Sequence, residues 1–198
     1  MAAKKINLAI FISGRGSNMQ ALIEACRVDD FPARVALVVS NRPDAGGLAV
    51  AEAAGIETTV VDHKKFPDRA SFESMLLEVL ADKNIDLICL AGFMRVLGAG
   101  FIDAVGIPII NIHPSLLPAY RGLHIHERVL ADGVPETGCT VHYVTPGVDE
   151  GPAIIQKKIP VQPGDTPETL AARVLAQEHV VYAQAIRLLA PQLKLTQK

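Results

Sequence analysis

Four largely apolar runs, residues 6–12, 35–39, 86–91 and 107–112, constrain the fold more than any other feature of this chain. A strand with one wet face alternates apolar and polar residues. These runs do not, so they predict strands buried on both faces, as in a parallel sheet covered by helices. Helical spacing fills the gaps: Met19, Leu22, Ile23 and Cys26 after the first run, then 48–54 closed by Gly55, 72–81 and 99–105. A short strand at 58–61 belongs near an edge, and 62–68 is a charged polar loop. The alternation predicts an α/β fold: an open, mostly parallel Rossmann-like sheet with helices on both faces.

Beyond Pro118 the rhythm changes. A loop over 119–126 leads to a helical turn or two at 127–132. The strand at 138–145 alternates, with Thr140 and His142 against Val141 and Tyr143, which predicts one exposed face. A second strand, 153–161, follows across a loop bounded by glycine and proline, with no helix between. This pair predicts an appended antiparallel C-terminal section. Asp165-Thr166-Pro167-Glu168 reads as a helix start, and the helix runs to about 189, where Pro191 ends it.

Two stretches are placed for chemistry. Ser13-Gly14-Arg15-Gly16-Ser17-Asn18 joins the first strand to a helix. Such a loop offers free backbone N–H groups to an anion, and Ser17 and Asn18 suit both capping and phosphate contact. A dinucleotide fits less well, because Met19 stands where the third glycine belongs. The second strand also ends in Ser40-Asn41-Arg42, without an acid to hold a ribose diol. The loop therefore suits a single phosphate. The other stretch is Ile109-Ile110-Asn111-Ile112-His113-Pro114, where proline stops a central strand. Asn111 and His113 alternate onto one face and sit at the strand's carboxyl end, where open α/β sheets carry their sites. Asp149 lies in a loop fixed by Gly147, Gly151 and Pro152. If it reaches His113, its carboxylate favours the protonated ring, and Asn111 and His113 can donate to a developing oxyanion. No Ser or Cys has an activating partner in the sequence, which points to direct attack by a substrate nucleophile.

At 198 residues and 49% hydrophobic, the chain suffices for one domain over 1–198. A net charge of −2 argues against a broad nucleic-acid or membrane surface. Cys26, Cys89 and Cys139 are read as buried free thiols. His124 and His126 lack a third ligand at suitable spacing, so no metal is expected. The start, Met1-Ala2-Ala3-Lys4-Lys5, leads into the first strand without a signal sequence, so a cytoplasmic location is expected.

Five segments together carry a resemblance. They are 12–18, 91–97, Asn111-Ile112-His113-Pro114-Ser115-Leu116-Leu117-Pro118, 122–126 and 141–151. The chain resembles the folate-dependent formyltransferases, and in particular those acting in purine synthesis. The resemblance implies formyl transfer from 10-formyltetrahydrofolate, as co-substrate, to the amine of glycinamide ribonucleotide through a tetrahedral intermediate. It implies Asn111, His113 and Asp149 as catalytic residues, with Gly16, Ser17, Asn18 and Glu178 on the ribonucleotide. Arg69, Met94, Arg95, Val96, Leu97, Asn111, Thr145, Pro146, Gly147 and Val148 would line the folate site. The chain then divides into a mononucleotide-binding half, 1–105, and a catalytic and folate-binding half, 106–198, with no further RNA-binding or regulatory domain. A monomer or homodimer is implied. Leu175 and Pro146 depart from the family, which often has a glutamine and an acid there. Donor hydrolysis and ligand binding without catalysis stay open as alternatives.

Overall fold

In the computed structural model, which describes residues 5–195, the first apolar run forms β1 (Ile6–Ile12). The N-terminal lead over residues 1–4 lies outside the described residues. After β1 come α1 (Ser17–Cys26), β2 (Ala33–Ser40), α2 (Gly47–Ala53), β3 (Glu57–Val60), α3 (Arg69–Ala81) and β4 (Leu87–Leu90). Then follow α4 (Ala99–Val105), β5 (Ile109–His113), α5 (Ile125–Ala131), β6 (Glu136–Tyr143), β7 (Ala153–Pro160) and α6 (Pro167–Leu195). The seven strands make one sheet in the order β3-β2-β1-β4-β5-β6-β7. Pairing is parallel from β3 through β5 and antiparallel for β5–β6 and β6–β7. The expected parallel sheet, its edge strand β3 and its antiparallel appendage are all present.

Alternation along β1 builds a core on each face of the sheet. Leu8, Ile10 and Ile12 pack with Met19 and Leu22 of α1 and with Tyr182 and Leu189 of α6. Ala9 and Phe11 face the other way, onto Phe72 and Leu76 of α3 and Phe101 of α4. Each large side chain so buried contributes roughly 1.5–3 kcal/mol. Tyr182 is fully buried, and its hydroxyl lies 3.0 Å from the Leu90 carbonyl and 3.2 Å from that of Ile110, donating to them. This bond seats α6 against the β4–β5 seam, beside the strand that carries Asn111 and His113.

Three expectations need correction. Pro191 does not end the last helix but lies inside it. Its ring forgoes one backbone bond, yet the turn that leads into it is anchored. Leu189 and Ala190 are buried, and Arg187 pairs with Asp30 at 3.1 Å and lies over the Phe31 ring at 4.9 Å. Tertiary packing thus outweighs the proline signal. Strand β6 is not half-exposed: Thr137 to His142 are buried on both faces. Its polar positions find partners inside, with Thr140 Oγ1 donating to the Ser115 carbonyl at 2.6 Å. The charged loop at 62–68 also contains a short 3-10 turn, His63–Lys65, whose start is capped by Asp62.

Candidate active site

Strand β5 ends at the sheet's middle, and proline after His113 turns the chain away. Asn111 and His113 share a face, as their spacing predicts. The antiparallel register sets His142 opposite Asn111 and Thr140 opposite His113. Directly opposed residues project to the same face. His142 therefore joins the site, and Asn111 Nδ2 lies 3.2 Å from His142 Nε2. The other ring nitrogen, Nδ1, is 2.9 Å from the Tyr143 carbonyl, which can only accept. That proton on Nδ1 leaves Nε2 to accept from the Asn111 amide.

The loop after β6 brings Asp149 back over this pair, in a left-handed conformation with φ 52°. Asp149 Oδ2 is 3.3 Å from His113 Nδ1 and accepts the Gly122 N–H at 3.0 Å, while Oδ1 is 3.6 Å from His142 Nε2. Both His113 and Asp149 side chains are largely shielded, at 6% and 12% exposure. His113 Nε2 donates to the Tyr120 carbonyl at 2.9 Å. Tyr120 and Gly122 belong to the segment after β5, which also holds the cis Leu117–Pro118 peptide.

Burial governs the charge of the ring. It holds His113 below the ordinary histidine range, against the opposing pull of the Tyr120 carbonyl and the Asp149 carboxylate. The carboxylate acts in the expected direction but does not prevail, so the resting ring is neutral at neutral pH. For Asp149 the balance is reversed. Burial raises its pKa, but the His142 ring, the Gly122 N–H and attraction to the His113 ring when that is protonated outweigh it and hold it below the usual carboxylate range. A neutral imidazole thus sits beside an anion ready to stabilise its protonated form.

The glycine loop lies at the end of β1. Gly16, not Ser17 or Asn18, occupies the cap position of α1, with φ 73° and no side-chain cap. Ser17 and Asn18 are the first residues of the helix, where backbone N–H groups lack intrahelical partners. The Asn18 side chain is committed elsewhere: Nδ2 donates to Glu178 Oε2 of α6 at 2.7 Å, and its buried Oδ1 has no partner. Burial raises the pKa of Glu178, against the Asn18 bond, so the sequence-predicted pair does meet across the two helices. A cavity of about 510 Å³ opens beside this loop, lined by residues 13–18, Asn41, Arg42, His63, Met94 and Arg95 among others. No carboxylate lines it, and three guanidinium groups do, which suits an anion.

Of the residues expected at a folate site, Met94 and Val96 are exposed at 66% and 53%, and Val148 is half-exposed. Arg69 opens α3, and its Nε lies 3.7 Å from Glu73. Leu97 differs: it is buried in the core beneath the sheet with Phe93 and Phe101, so its side chain is structural. Thr145, Pro146 and Gly147 lie in the loop that carries Asp149. Sequence reasoning missed His142, although its alternation with Val141 was the available signal. It also missed Ser13, whose buried hydroxyl accepts the Met94 N–H at 2.8 Å and donates to Asn41 Oδ1 at 2.5 Å.

The family model for formyl transferases matches residues 6–186. The chain belongs to the formyl transferase family. This family member is 42% identical to phosphoribosylglycinamide formyltransferase of Escherichia coli over 91% of its own length and 85% of that protein. It is also 46% identical to the bovine trifunctional purine biosynthetic protein adenosine-3, covering 94% of this chain but spanning only 18% of that relative's length. The crystal structure of phosphoribosylglycinamide formyltransferase from Brucella melitensis superposes with a TM-score of 0.91 at 50% identity, covering 94% of this formyl transferase and 96% of that chain. Among the described residues of this formyl transferase, no group of three or more His, Cys, Asp or Glu side chains comes together to hold a metal ion. Among the same residues, no helix is long and apolar enough to cross a membrane.

Proposed function

We propose that this formyl transferase moves the formyl group of 10-formyltetrahydrofolate to the amine of glycinamide ribonucleotide, in de novo purine synthesis. The observation that carries the reading is the convergence of Asn111, His113 and Asp149 at the end of β5. Kinship with phosphoribosylglycinamide formyltransferases supplies the substrates. The N-terminal backbone of α1, with Gly16, Ser17 and Asn18, holds the ribonucleotide phosphate, and Glu178 fixes its ribose end through the buried Asn18 contact. Arg69, the 94–97 loop and the 145–148 loop hold the folate.

In this reading the amine nitrogen bonds to the formyl carbon, and the carbonyl electrons move to oxygen. Asn111 donates to that oxyanion through its amide. Neutral His113 receives the proton the amine releases, at Nδ1, and the Asp149 carboxylate compensates the positive ring. Collapse of the intermediate breaks the bond to the folate nitrogen. That nitrogen takes up the proton, and the ring returns to its neutral state. The products are formylglycinamide ribonucleotide and tetrahydrofolate, with atoms and charge balanced.

An absorbance assay for folate product, run with and without glycinamide ribonucleotide, tests the reading. Product is expected only when the ribonucleotide is present. Equal turnover without it would make the chain a donor hydrolase, and none in either case would make it a binding module.

A further inference from the structure

The loop between β4 and α4 is fastened at both ends by buried side chains. Near its start, Ser13 Oγ accepts the Met94 N–H at 2.8 Å. At its end, Glu73 Oε1 accepts the Gly98 N–H at 2.6 Å. The anchors are buried, with Ser13 at 5% and Glu73 at 8% exposure, while Met94 and Val96 between them stand open. Glu73 has a second task. Arg69 lies one turn earlier on α3, and its Nε is 3.7 Å from the same Oε1. Gly98 completes the junction: a Cβ there would lie 3.1 Å from Glu73 Oε2 and 3.4 Å from the Arg69 guanidinium carbon. A side chain at this position would crowd both groups, so the junction is closely packed.

We propose that Glu73 is a positioning residue for the formyl-donor site. One buried carboxylate fixes the distance between Arg69 and the 94–97 loop, the two segments that grip the donor from separate elements. The inference rests on the donor-site reading given above. An exposed arginine has many rotamers, and a loop with open apolar side chains has many shapes. Tying both to one atom removes that freedom before the donor arrives, so its loss weakens donor binding more than it slows chemistry. Glu73 contacts Gly98 and Arg69 rather than the Asn111, His113 and Asp149 group.

Steady-state kinetics and thermal unfolding of Glu73→Ala, Glu73→Gln and Arg69→Ala test the proposal. Glu73→Ala is expected to raise the KM for 10-formyltetrahydrofolate about tenfold, with the ribonucleotide KM and kcat at saturation within about twofold of the parent. Glu73→Gln keeps an acceptor for Gly98 but not the charge for Arg69, so its donor KM should rise about threefold. That variant decides the matter if the alanine protein does not fold. An unchanged donor KM in Glu73→Gln, or equal rises in both KM values, would overturn the proposal. Arg69→Ala separates the two layers. If it leaves the donor KM unmoved, the donor-site reading itself fails; if it raises that KM while neither Glu73 variant does, only the role of Glu73 fails.

Discussion

Asp149→Asn is expected to lower kcat by about a thousandfold while the dissociation constant for a non-transferable folate analogue changes by no more than about threefold. The substitution is nearly isosteric, and an asparagine oxygen still accepts the Gly122 N–H that Asp149 accepts now at 3.0 Å. The loop therefore keeps its course. What is lost is the negative charge 3.3 Å from His113 Nδ1. The ring starts neutral because burial lowers its pKa, so it must gain charge during the reaction. In a shielded site that positive charge has little solvent to stabilise it, and the carboxylate is its main compensation. Equilibrium binding alongside pre-steady-state rates checks the split. A parallel loss of folate affinity would mean that Asp149 shapes the folate site instead.

Gly16→Val should raise the KM for glycinamide ribonucleotide at least about a hundredfold, with the donor KM little changed. Two effects combine. At φ 73° the backbone is in the left-handed region, which a β-branched residue resists. A Cβ at this position would also lie 3.1 Å from Met19 Cε and 3.2 Å from Gly47 Cα. Gly47 is itself held close to the loop, its N–H donating to the Gly14 carbonyl at 3.0 Å. The strain must then be relieved by moving the start of α1, where the phosphate would sit. Initial rates against ribonucleotide concentration read the effect, and circular dichroism checks that the fold persists. An unchanged ribonucleotide KM would remove the phosphate from this loop.

The residues that declare themselves in sequence are those whose environment is local. Strand β1 and helix α4 follow the apolar pattern to the residue, since β1 is covered on both faces and α4 lies between Gly98 and Gly106. The shared face of Asn111 and His113 follows from strand alternation alone. What stays hidden depends on partners far along the chain. Nothing near Pro191 tells that Arg187 is held by Asp30, so the helix seems to stop too soon. The buried second face of β6 comes in part from Ser115, far off in sequence, whose carbonyl accepts from Thr140. His142 enters the site only through a cross-strand register set by the length of the intervening connection. The same is true of Asp149, whose approach to His113 rests on a loop turning back over β5. Ser17 and Asn18 look like caps by composition, yet Gly16 takes that position because the tight turn needs a left-handed residue there.

The most direct test of the central claim, that Asp149 supplies basicity to a buried His113, is a pH titration of the His113 ring nitrogens by NMR in the parent protein and in Asp149→Asn. The parent ring should titrate below the ordinary histidine value, with Nε2 protonated and Nδ1 bare at neutral pH. Removing the carboxylate takes away a group that favours the charged ring, so the His113 pKa in the variant should drop further. A His113 pKa that stays the same or rises in Asp149→Asn would contradict the account.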